Sequence, residues 1–169
     1  MSTIVTDQIK GIDDKGVLLP TLPVFFAWRS DNYTLNQTYT NMVYDKEDVD
    51  IGNNYDTSTG IFTVPQNGVY EFGWASIALA NATVFRYRLA MGGDYDWNNS
   101  HGGYGRYELR LDQGGTGGSA YASNGEYCAY VNCTAGQEMS IMAVCDSGTL
   151  TGYGHINYRY TYFRGRLVA

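Results

Sequence analysis

The chain has 169 residues, enough for one domain with a sizeable core. It contains 16 Tyr, 6 Phe, 3 Trp and 21 Gly, and no stretch shows an apolar stripe at helical spacing, so the sequence predicts β structure with almost no helix. The net charge of −6, with only 11 basic residues, argues against a nucleic-acid partner, because such partners are held mostly by Lys and Arg. No run of 18 apolar residues predicts membrane insertion.

Residues 1–22 differ from the rest of the chain, because short apolar runs alternate there with charged residues and no aromatic residue occurs. The segment also lacks the apolar core of a signal peptide, so we do not expect passage through a secretory translocon. Two interpretations stay open. The segment is either a leader without fixed structure or an arm that docks on another protein by adding edge strands.

Residues 23–169 contain short segments in which aromatic and β-branched residues alternate with polar ones between Gly, Pro and Asn turns. Eight to ten short strands in one domain predict a sandwich or barrel. The predicted strands are residues 23–30, 61–64 and 69–72 on either side of a turn, a strand at about 71–80, and residues 83–91, 106–112, 126–133, 138–145 and 155–169. The segment at residues 33–39 is either a connection or an outer strand.

Local turn signals also predict which strands pair. The turn from Pro65 to Gly68 predicts a hairpin between the strands on either side of it, within an aromatic meander over residues 44–74. The turn at residues 134–137 similarly predicts a second meander from the strands that flank it.

Eight positions at fixed spacing resemble the signature of the C1q/tumour-necrosis-factor (TNF) jelly-roll domain. The last strand matches as well, with Phe163, Gly165 and Leu167 in a Phe-x-Gly-x-Leu pattern. The resemblance covers about residues 23–169 and implies a jelly-roll sandwich of about ten strands that forms a homotrimer. The eight signature positions are Tyr44, Asp50, Tyr55, Phe62, Gly68, Tyr70, Phe72 and Trp74.

The last strand predicts a surface for that homotrimer. Tyr158, Tyr160 and Tyr162 alternate with Phe163 and Leu167, which are expected to face the core. An aromatic ladder on an outward face is a poor solvent surface and a good subunit interface. The alternative is that a second sheet covers the ladder within the monomer.

The N-terminal segment resembles the short leaders of structural proteins in tailed bacteriophages. That resemblance implies two parts, an arm at residues 1–22 that attaches to a virion capsid or tail protein and a jelly-roll domain at residues 23–169. It implies a location on the virion surface after synthesis in the host cytoplasm.

The loop at residues 92–105 has the composition of a binding loop, because rigid aromatic residues alternate with small polar ones. We expect it to contact a host surface glycan or protein. The alternative is that its Trp packs down as an anchor for the loop or for a neighbouring subunit. The predicted recognition residues are Asp94, Tyr95, Asp96, Trp97, Asn98 and Tyr104.

Catalytic chemistry finds little support, because only His101 and His155 occur and no hydrolase or metalloprotease motif is present. The loop aspartates Asp94 and Asp96 fit turn formation better than a glycosidase pair. No cofactor or metal is therefore predicted. A carbohydrate-active enzyme would need two buried carboxylates in one cleft.

Two further groups of side chains leave alternatives open. The acidic cluster at residues 45–50 predicts a solvated edge strand, with a calcium site as the alternative. The thiols of Cys128, Cys133 and Cys145 are predicted to pack in the core, and a disulfide between two of them stays open.

Together these patterns predict a non-enzymatic bacteriophage virion protein. Its trimeric C1q-like knob would serve as a capsid decoration, head fibre or tail-fibre tip and present loops for host adhesion. The alternative is a free-standing C1q-like lectin or cytokine-like ligand.

Overall fold

A computed structural model describes residues 12–13, 16–17, 22–79, 84–94, 108–112, 121–123 and 126–169. All regular structure in these residues is β-strand, as predicted. The described residues contain no helix that is long and apolar enough to cross a membrane. The strands are β1 (Ile12–Asp13), β2 (Gly16–Val17), β3 (Val24–Trp28), β4 (Tyr33–Leu35), β5 (Thr40–Asn41), β6 (Lys46–Ile51), β7 (Tyr55–Asp56), β8 (Ile61–Thr63), β9 (Gly68–Ala75), β10 (Ile77–Leu79), β11 (Val84–Met91), β12 (Glu108–Asp112), β13 (Tyr121–Ser123), β14 (Tyr127–Cys133), β15 (Glu138–Cys145), β16 (Leu150–Tyr153) and β17 (Tyr162–Leu167).

Every strand pair is antiparallel, and most strands fall into three sheets. The five-stranded sheet has the order β14-β9-β17-β3-β6, and the six-stranded sheet has the order β12-β11-β15-β8-β7 with β5 also paired to β15. A four-stranded sheet has the order β13-β10-β16-β4, and β1 pairs with β2. Some predicted strands are divided, because the chain leaves one sheet and enters another. Thus β9 ends at Ala75 in the five-stranded sheet and β10 begins at Ile77 in the four-stranded one.

Aromatic rings fill the space between the five-stranded and six-stranded sheets. Phe25 of β3 stacks on Phe62 of β8 with ring centroids 4.5 Å apart, and Phe62 meets Phe72 of β9 edge-on at 6.0 Å. Such pairs add to the free energy gained by burying the rings. The aromatic residues of the predicted signature, Tyr44, Tyr55, Phe62, Tyr70, Phe72 and Trp74, all lie in this core. The signature is therefore scaffold.

The predicted hairpin across Pro65–Gly68 is wrong. Although both strands form, β8 pairs with β7 and β15, whereas β9 pairs with β14 and β17 in the opposite sheet. The Pro65–Gly68 connection crosses the sandwich, and the N–H of Val64 donates to the carbonyl of Gln137. The local hairpin is instead β7–β8, closed by the N–H of Gly60 donating to the carbonyl of Asp56 at 2.8 Å.

The predicted meander in the last third is wrong for the same reason. Strand β14 pairs with β9, while β15 pairs with β5, β8 and β11, so the turn between β14 and β15 also joins different sheets. Alternation and turn residues identify strands locally. Partners are chosen by the burial of a whole face, which joins residues far apart in the chain.

The antiparallel pair β3–β17 gives the domain two distinct ends. Strand β3 runs from Val24 to Trp28, and β17 runs back beside it from Tyr162, paired with Trp28, to Arg166, paired with Val24. The N–H of Leu167 donates to the carbonyl of Pro23. Residue 22 and the C-terminus therefore lie at one end, here called the proximal end. The segment before Tyr162 lies at the other, distal end.

Candidate functional site

The five-stranded sheet has one face in the core and one face turned away from it, here called the outer face. On β3, the side chains of Phe25 and Ala27 are buried in the core, and the intervening Phe26 points to the outer face. On β17, Phe163 is buried in the core and Arg164 points outward. This alternation follows from the two-residue period of a strand.

One half of the outer face is apolar. Val49 and Ile51 of the edge strand β6 are each 41% exposed, and their partners on β3 are Phe26 and Val24. The ring of Phe26 in turn stacks on Tyr162 of β17, with centroids 5.1 Å apart. These neighbours form a continuous apolar strip across three strands. A strip of this kind on a sheet face is typical of a protein–protein contact.

The other half of the outer face is a network around Glu71 of β9, which is only 5% exposed. Its carboxylate accepts hydrogen bonds from Arg164 at 2.8 Å, Arg166 at 2.9 Å and the hydroxyl of Tyr130 at 3.0 Å. The bond from Arg166, followed by that from Arg164, lowers the pKa of Glu71 to about 2. Glu71 is therefore ionised at neutral pH and suits anchoring better than proton transfer.

Arg164 extends this network to the end of β14. It contacts Glu126 through its Nε, and its Nη2 lies 3.5 Å from the sulfur of Cys128. Gly73 makes the approach feasible, because a Cβ there would collide with Glu126 and with the guanidinium of Arg164. The Glu126 hydrogen bond raises the pKa of Arg164, so this arginine stays charged.

The predicted packing of all three thiols in the core needs a correction. All three are free, and Cys133 and Cys145 are buried. Cys128 is exposed, because it alternates with the core-facing Ala129 and so belongs to the outer face.

The predicted single ladder of Tyr158, Tyr160 and Tyr162 is not formed. Strand β17 begins only at Tyr162, because residues 155–158 form a turn in which the N–H of Tyr158 donates to the carbonyl of His155. Tyr162 lies on the outer face, as described above. Tyr158 and Tyr160 lie at the distal end instead, where they are 50% and 40% exposed. The predicted residues therefore divide between two surfaces.

Arg159 connects these two surfaces. Its guanidinium lies over the indole of Trp28, 4.1 Å from the ring centroid, and binds both oxygens of Asp48 at 2.7 and 2.9 Å. The indole N–H of Trp28 also donates to Asp48 at 3.0 Å. The register of β6 shifts opposite Phe26 and Ala27, so Asp48 sits at a bulge, which aims its carboxylate at both partners.

The other carboxylates of the acidic cluster also have separate tasks. Asp45 accepts hydrogen bonds from the N–H and hydroxyl of Ser30, and Asp50 accepts from the N–H groups of Asn54 and Tyr55. Strand β6 is the edge of its sheet, as the acidic pattern predicted. Among the described residues, no three His, Cys, Asp or Glu side chains are grouped so that they could hold a metal ion.

Of the predicted recognition loop, the structure describes only the beginning. Asp94 is exposed, and its N–H donates to the carbonyl of Met91 at 3.0 Å across a tight turn. The remaining predicted residues, Tyr95, Asp96, Trp97, Asn98 and Tyr104, lie outside the described residues.

Comparisons with known proteins agree with the observed architecture. The family model of the C1q domain matches residues 24–95, and no curated protein matches the sequence. The globular domain of zebrafish complement 1qA is 15% identical, with 87% of this chain and 98% of that chain covered and a TM-score of 0.57. Eiger TNF from S. frugiperda is 11% identical, with 88% and 93% covered and a TM-score of 0.61. Murine APRIL at pH 5.0 is 11% identical, with 88% and 100% covered and a TM-score of 0.59.

Proposed function

We propose that this chain, whose fold is the C1q/TNF-like jelly roll that the sequence predicted, is the trimeric, non-enzymatic knob of a bacteriophage virion. Residues 1–22 attach the knob to a capsid or tail protein, and its distal end meets the host surface. The observation that carries the trimer is the outer face, where exposed Val49 and Ile51 continue into a charged network. Such a surface combines an apolar contact with charges that define its register.

The two ends of the domain support the division between attachment and presentation. The chain enters β3 at the proximal end, beside the place where β17 finishes. A partner that holds residues 1–22 would therefore hold the knob by its proximal end. The exposed rings of Tyr158 and Tyr160 would then point away from the attachment.

A non-enzymatic role is supported by the state of the buried charge. Glu71 is the buried carboxylate among the described residues, and its pKa of about 2 is far below the range useful to a general acid or base. It is held by two arginines, which is a structural arrangement. Because one fold can host many activities, the non-enzymatic role is argued from the Glu71 site and not from the fold.

The virion location is supported by the resemblance of residues 1–22, in which short apolar runs alternate with charged residues, to the leaders of bacteriophage structural proteins. The experiment compares the full chain with a variant lacking residues 1–22. We expect both to sediment as trimers, and we expect only the full chain to bind virion structural proteins encoded in the same genome. Equal binding of both chains to virion proteins would contradict the attachment role proposed for residues 1–22. If the protein sediments as a monomer at micromolar concentration, the proposal of a trimeric knob is wrong.

A free-standing lectin or cytokine-like ligand is the second candidate. It is favoured by the near-complete coverage of the solved domains, since this chain covers 93% of Eiger TNF and 100% of murine APRIL. In that case the knob would bind its receptor or glycan as a trimer without any virion partner. Binding to host cells by the variant that lacks residues 1–22, together with no binding to virion proteins, would favour this candidate.

A further inference from the structure

We propose that the distal end carries a carbohydrate-binding subsite for a neutral hexose unit, built from the exposed rings of Tyr158 and Tyr160 and a groove that adjoins them through Tyr153 and His155. This inference rests on the adhesive role proposed above and gives it a site and a ligand class. The site differs from the predicted recognition loop at residues 92–105.

Four aromatic rings form a closed group at the distal end, here called the distal aromatic cluster. Tyr158 stacks on Tyr160 with centroids 5.0 Å apart and planes 21° apart, and His155 lies 4.7 Å from Tyr158. Tyr153 completes the group at 5.9 Å from both His155 and Tyr160. The cluster adjoins Ile156, which is 56% exposed. Apolar groups gathered at a surface in this way indicate a binding surface.

An open groove of about 530 Å³ runs beside the cluster. Its volume falls within the range of small-ligand sites, roughly 300–1,000 Å³. The cluster supplies one wall through Tyr153 and His155, and the residues that follow β3 supply the other. The groove is lined by Ser30, Asp31, Asn32, Tyr153, Gly154, His155 and Ile156.

The polar groups of the groove include both donors and acceptors. Asn32 accepts a hydrogen bond from the N–H of Gly154 through its Oδ1 at 3.2 Å, which orients its NH2 group as a donor. His155 accepts from the N–H of Asn157 through its Nδ1 at 3.1 Å, so the neutral ring carries its proton on Nε2. The exposed carboxylate of Asp31 has no hydrogen-bond partner among the described residues.

This combination matches the two sides of a pyranose. The C–H face of a sugar ring is apolar and packs against an aromatic ring, while its neighbouring hydroxyls each donate and accept hydrogen bonds. Exposed Tyr158 and Tyr160 offer rings for the first contact. Asp31, Asn32 and His155 offer one acceptor and two donors for the second. Rigid aromatic residues beside short polar ones are typical of recognition surfaces.

Charge favours a neutral sugar over an acidic one. Asp31 is the carboxylate that lines the groove, and an anionic sugar would be repelled by it. The nearby guanidinium of Arg29 is already engaged, since it donates to the carbonyls of Val43 at 2.6 Å and Asp31 at 3.3 Å. One carboxylate is also far from the six to eight oxygens that calcium requires, so binding should not need that cation.

The position of the subsite fits its proposed role. Strand β3 separates the cluster from residue 22 by five residues, which span roughly 17 Å. Except for Tyr153, the last residue of β16, the cluster lies beyond the strand ends, so an interface on the outer face need not cover it. Arg159, clamped between Trp28 and Asp48, holds the segment between Tyr158 and Tyr160 in place.

The experiment uses saturation-transfer NMR on the full chain with the methyl glycosides of glucose, galactose and mannose, followed by an oligosaccharide array. We expect transfer from at least one of these neutral hexosides, unchanged by a calcium chelator. Tyr158→Ala should weaken binding about tenfold, which corresponds to about 1.4 kcal/mol and lies within the range of an aromatic contact. Tyr158→Phe is the matched control and should bind as the wild type does. Asp31→Asn should weaken binding without changing the sedimentation of the trimer.

Each contrary outcome overturns the subsite. These outcomes are no transfer from any neutral hexoside, unchanged binding by Tyr158→Ala, loss of binding with the chelator, or dissociation of the trimer by Tyr158→Ala. Binding to host cells distinguishes this failure from failure of the proposed function. If Tyr158→Ala trimers adhere to host cells as well as the wild type does, the adhesive role is retained and the proposed subsite is wrong. If wild-type trimers do not adhere, the adhesive role falls.

Discussion

Arg159 lies over the indole ring of Trp28, with its guanidinium carbon 4.1 Å from the ring centroid, while both residues bind the same carboxylate of Asp48. Trp28 ends the first strand of the outer face, and Arg159 lies within the loop that carries Tyr158 and Tyr160. The pair is therefore one of the contacts that fix the distal loop to the sheet, beside the N–H of His155, which donates to the carbonyl of Arg29. Stacking and two-pronged carboxylate binding are both specific to arginine, so lysine is not an equivalent replacement here.

Replacing Arg159 with Ala should raise the pKa of Asp48, because the Arg159 hydrogen bond is the largest cause that lowers it. The indole N–H of Trp28 still donates, so some lowering should remain. Since the pair is exposed, we expect little change in global stability. Carboxyl NMR titration measures the pKa of Asp48, and near-ultraviolet circular dichroism reports the packing of Trp28. Arg159→Lys is the matched control and should restore the pKa only in part. An unchanged Asp48 pKa in Arg159→Ala would contradict the role given to this contact.

Replacing Glu71 with Gln should destabilise the domain by roughly 1.5–3 kcal/mol, because hydrogen bonds to a charged group are lost while Arg164 and Arg166 remain close together. Urea unfolding measures this change. The matched control is Glu138→Gln, which alters an exposed carboxylate of the other sheet. The side chain of Arg166 is 57% accessible, and solvent screens its charge. We therefore expect a loss of stability in the lower part of this range.

The same carboxylate gives a pH dependence with a defined sign. The folded pKa of Glu71 is about 2, below the value of roughly 4.3 for an unfolded chain. Its contribution is therefore complete above about pH 4.3 and is lost as the pH falls toward 2. In Glu71→Gln, the acid-induced loss of stability should be shallower than in the wild type across that window. Parallel stability curves for the two proteins would refute this assignment.

The sequence could predict strands and their buried faces, because alternation is a local property. Phe62, Phe72 and Phe163 are buried where alternation and the family signature placed them. It could not predict strand partners, because β8 and β9 are joined by a short turn yet bury their inner faces against each other from opposite sheets. A turn motif is equally compatible with a hairpin and with a crossing of the sandwich.

The charged half of the outer face was not predicted from the sequence, although the sequence contains a weak signal for it. Glu71 stands between the aromatic residues Tyr70 and Phe72, and Arg164 and Arg166 alternate in the last strand. Only the register that places Arg166 opposite Glu71 turns these residues into a network. The prediction of one ladder of three tyrosines was wrong because the alternation of aromatic residues in the sequence continues through residues 155–158, where the chain forms a turn instead of a strand. Asn157 in that turn was the local sign of a break.

Adding a methyl group at Gly165 should destabilise the domain by roughly 1–3 kcal/mol through overpacking. A Cβ at this position would lie 2.6 Å from the ring of Phe25 and 2.8 Å from that of Phe72. Urea unfolding of Gly165→Ala measures the cost. Phe25→Leu combined with Gly165→Ala tests the cause, because the smaller side chain makes room and the two effects should not add. Strict additivity would show that the rings are not the obstacle.

Placing charge on the apolar strip should dissociate the trimer. Val49→Asp and Ile51→Asp each replace an apolar side chain that is 41% exposed, so each removes the burial of that remaining fraction, roughly 0.6–1.2 kcal/mol, and adds a charge to be desolvated. Sedimentation velocity should show monomers or a much weaker trimer, with the β signal of circular dichroism unchanged. Ile156→Asp is the matched control, because Ile156 is also exposed but lies at the distal end. Dissociation by Ile156→Asp alone would place the interface at the distal loop.

The thiol of Cys128 reports independently on whether the outer face is covered. In a single chain Cys128 is exposed while Cys133 and Cys145 are buried, so alkylation should reach Cys128 first. Burial, followed by the charge of Glu126, raises the pKa of Cys128, and its reaction should therefore accelerate as the pH is raised above neutrality. The proposed trimer would cover the outer face, so labelling of Cys128 should be slow in the wild type and fast in Val49→Asp, as measured by mass spectrometry. Equal rates in the two proteins would show that the outer face is open in the assembled state, and the interface would then have to lie elsewhere.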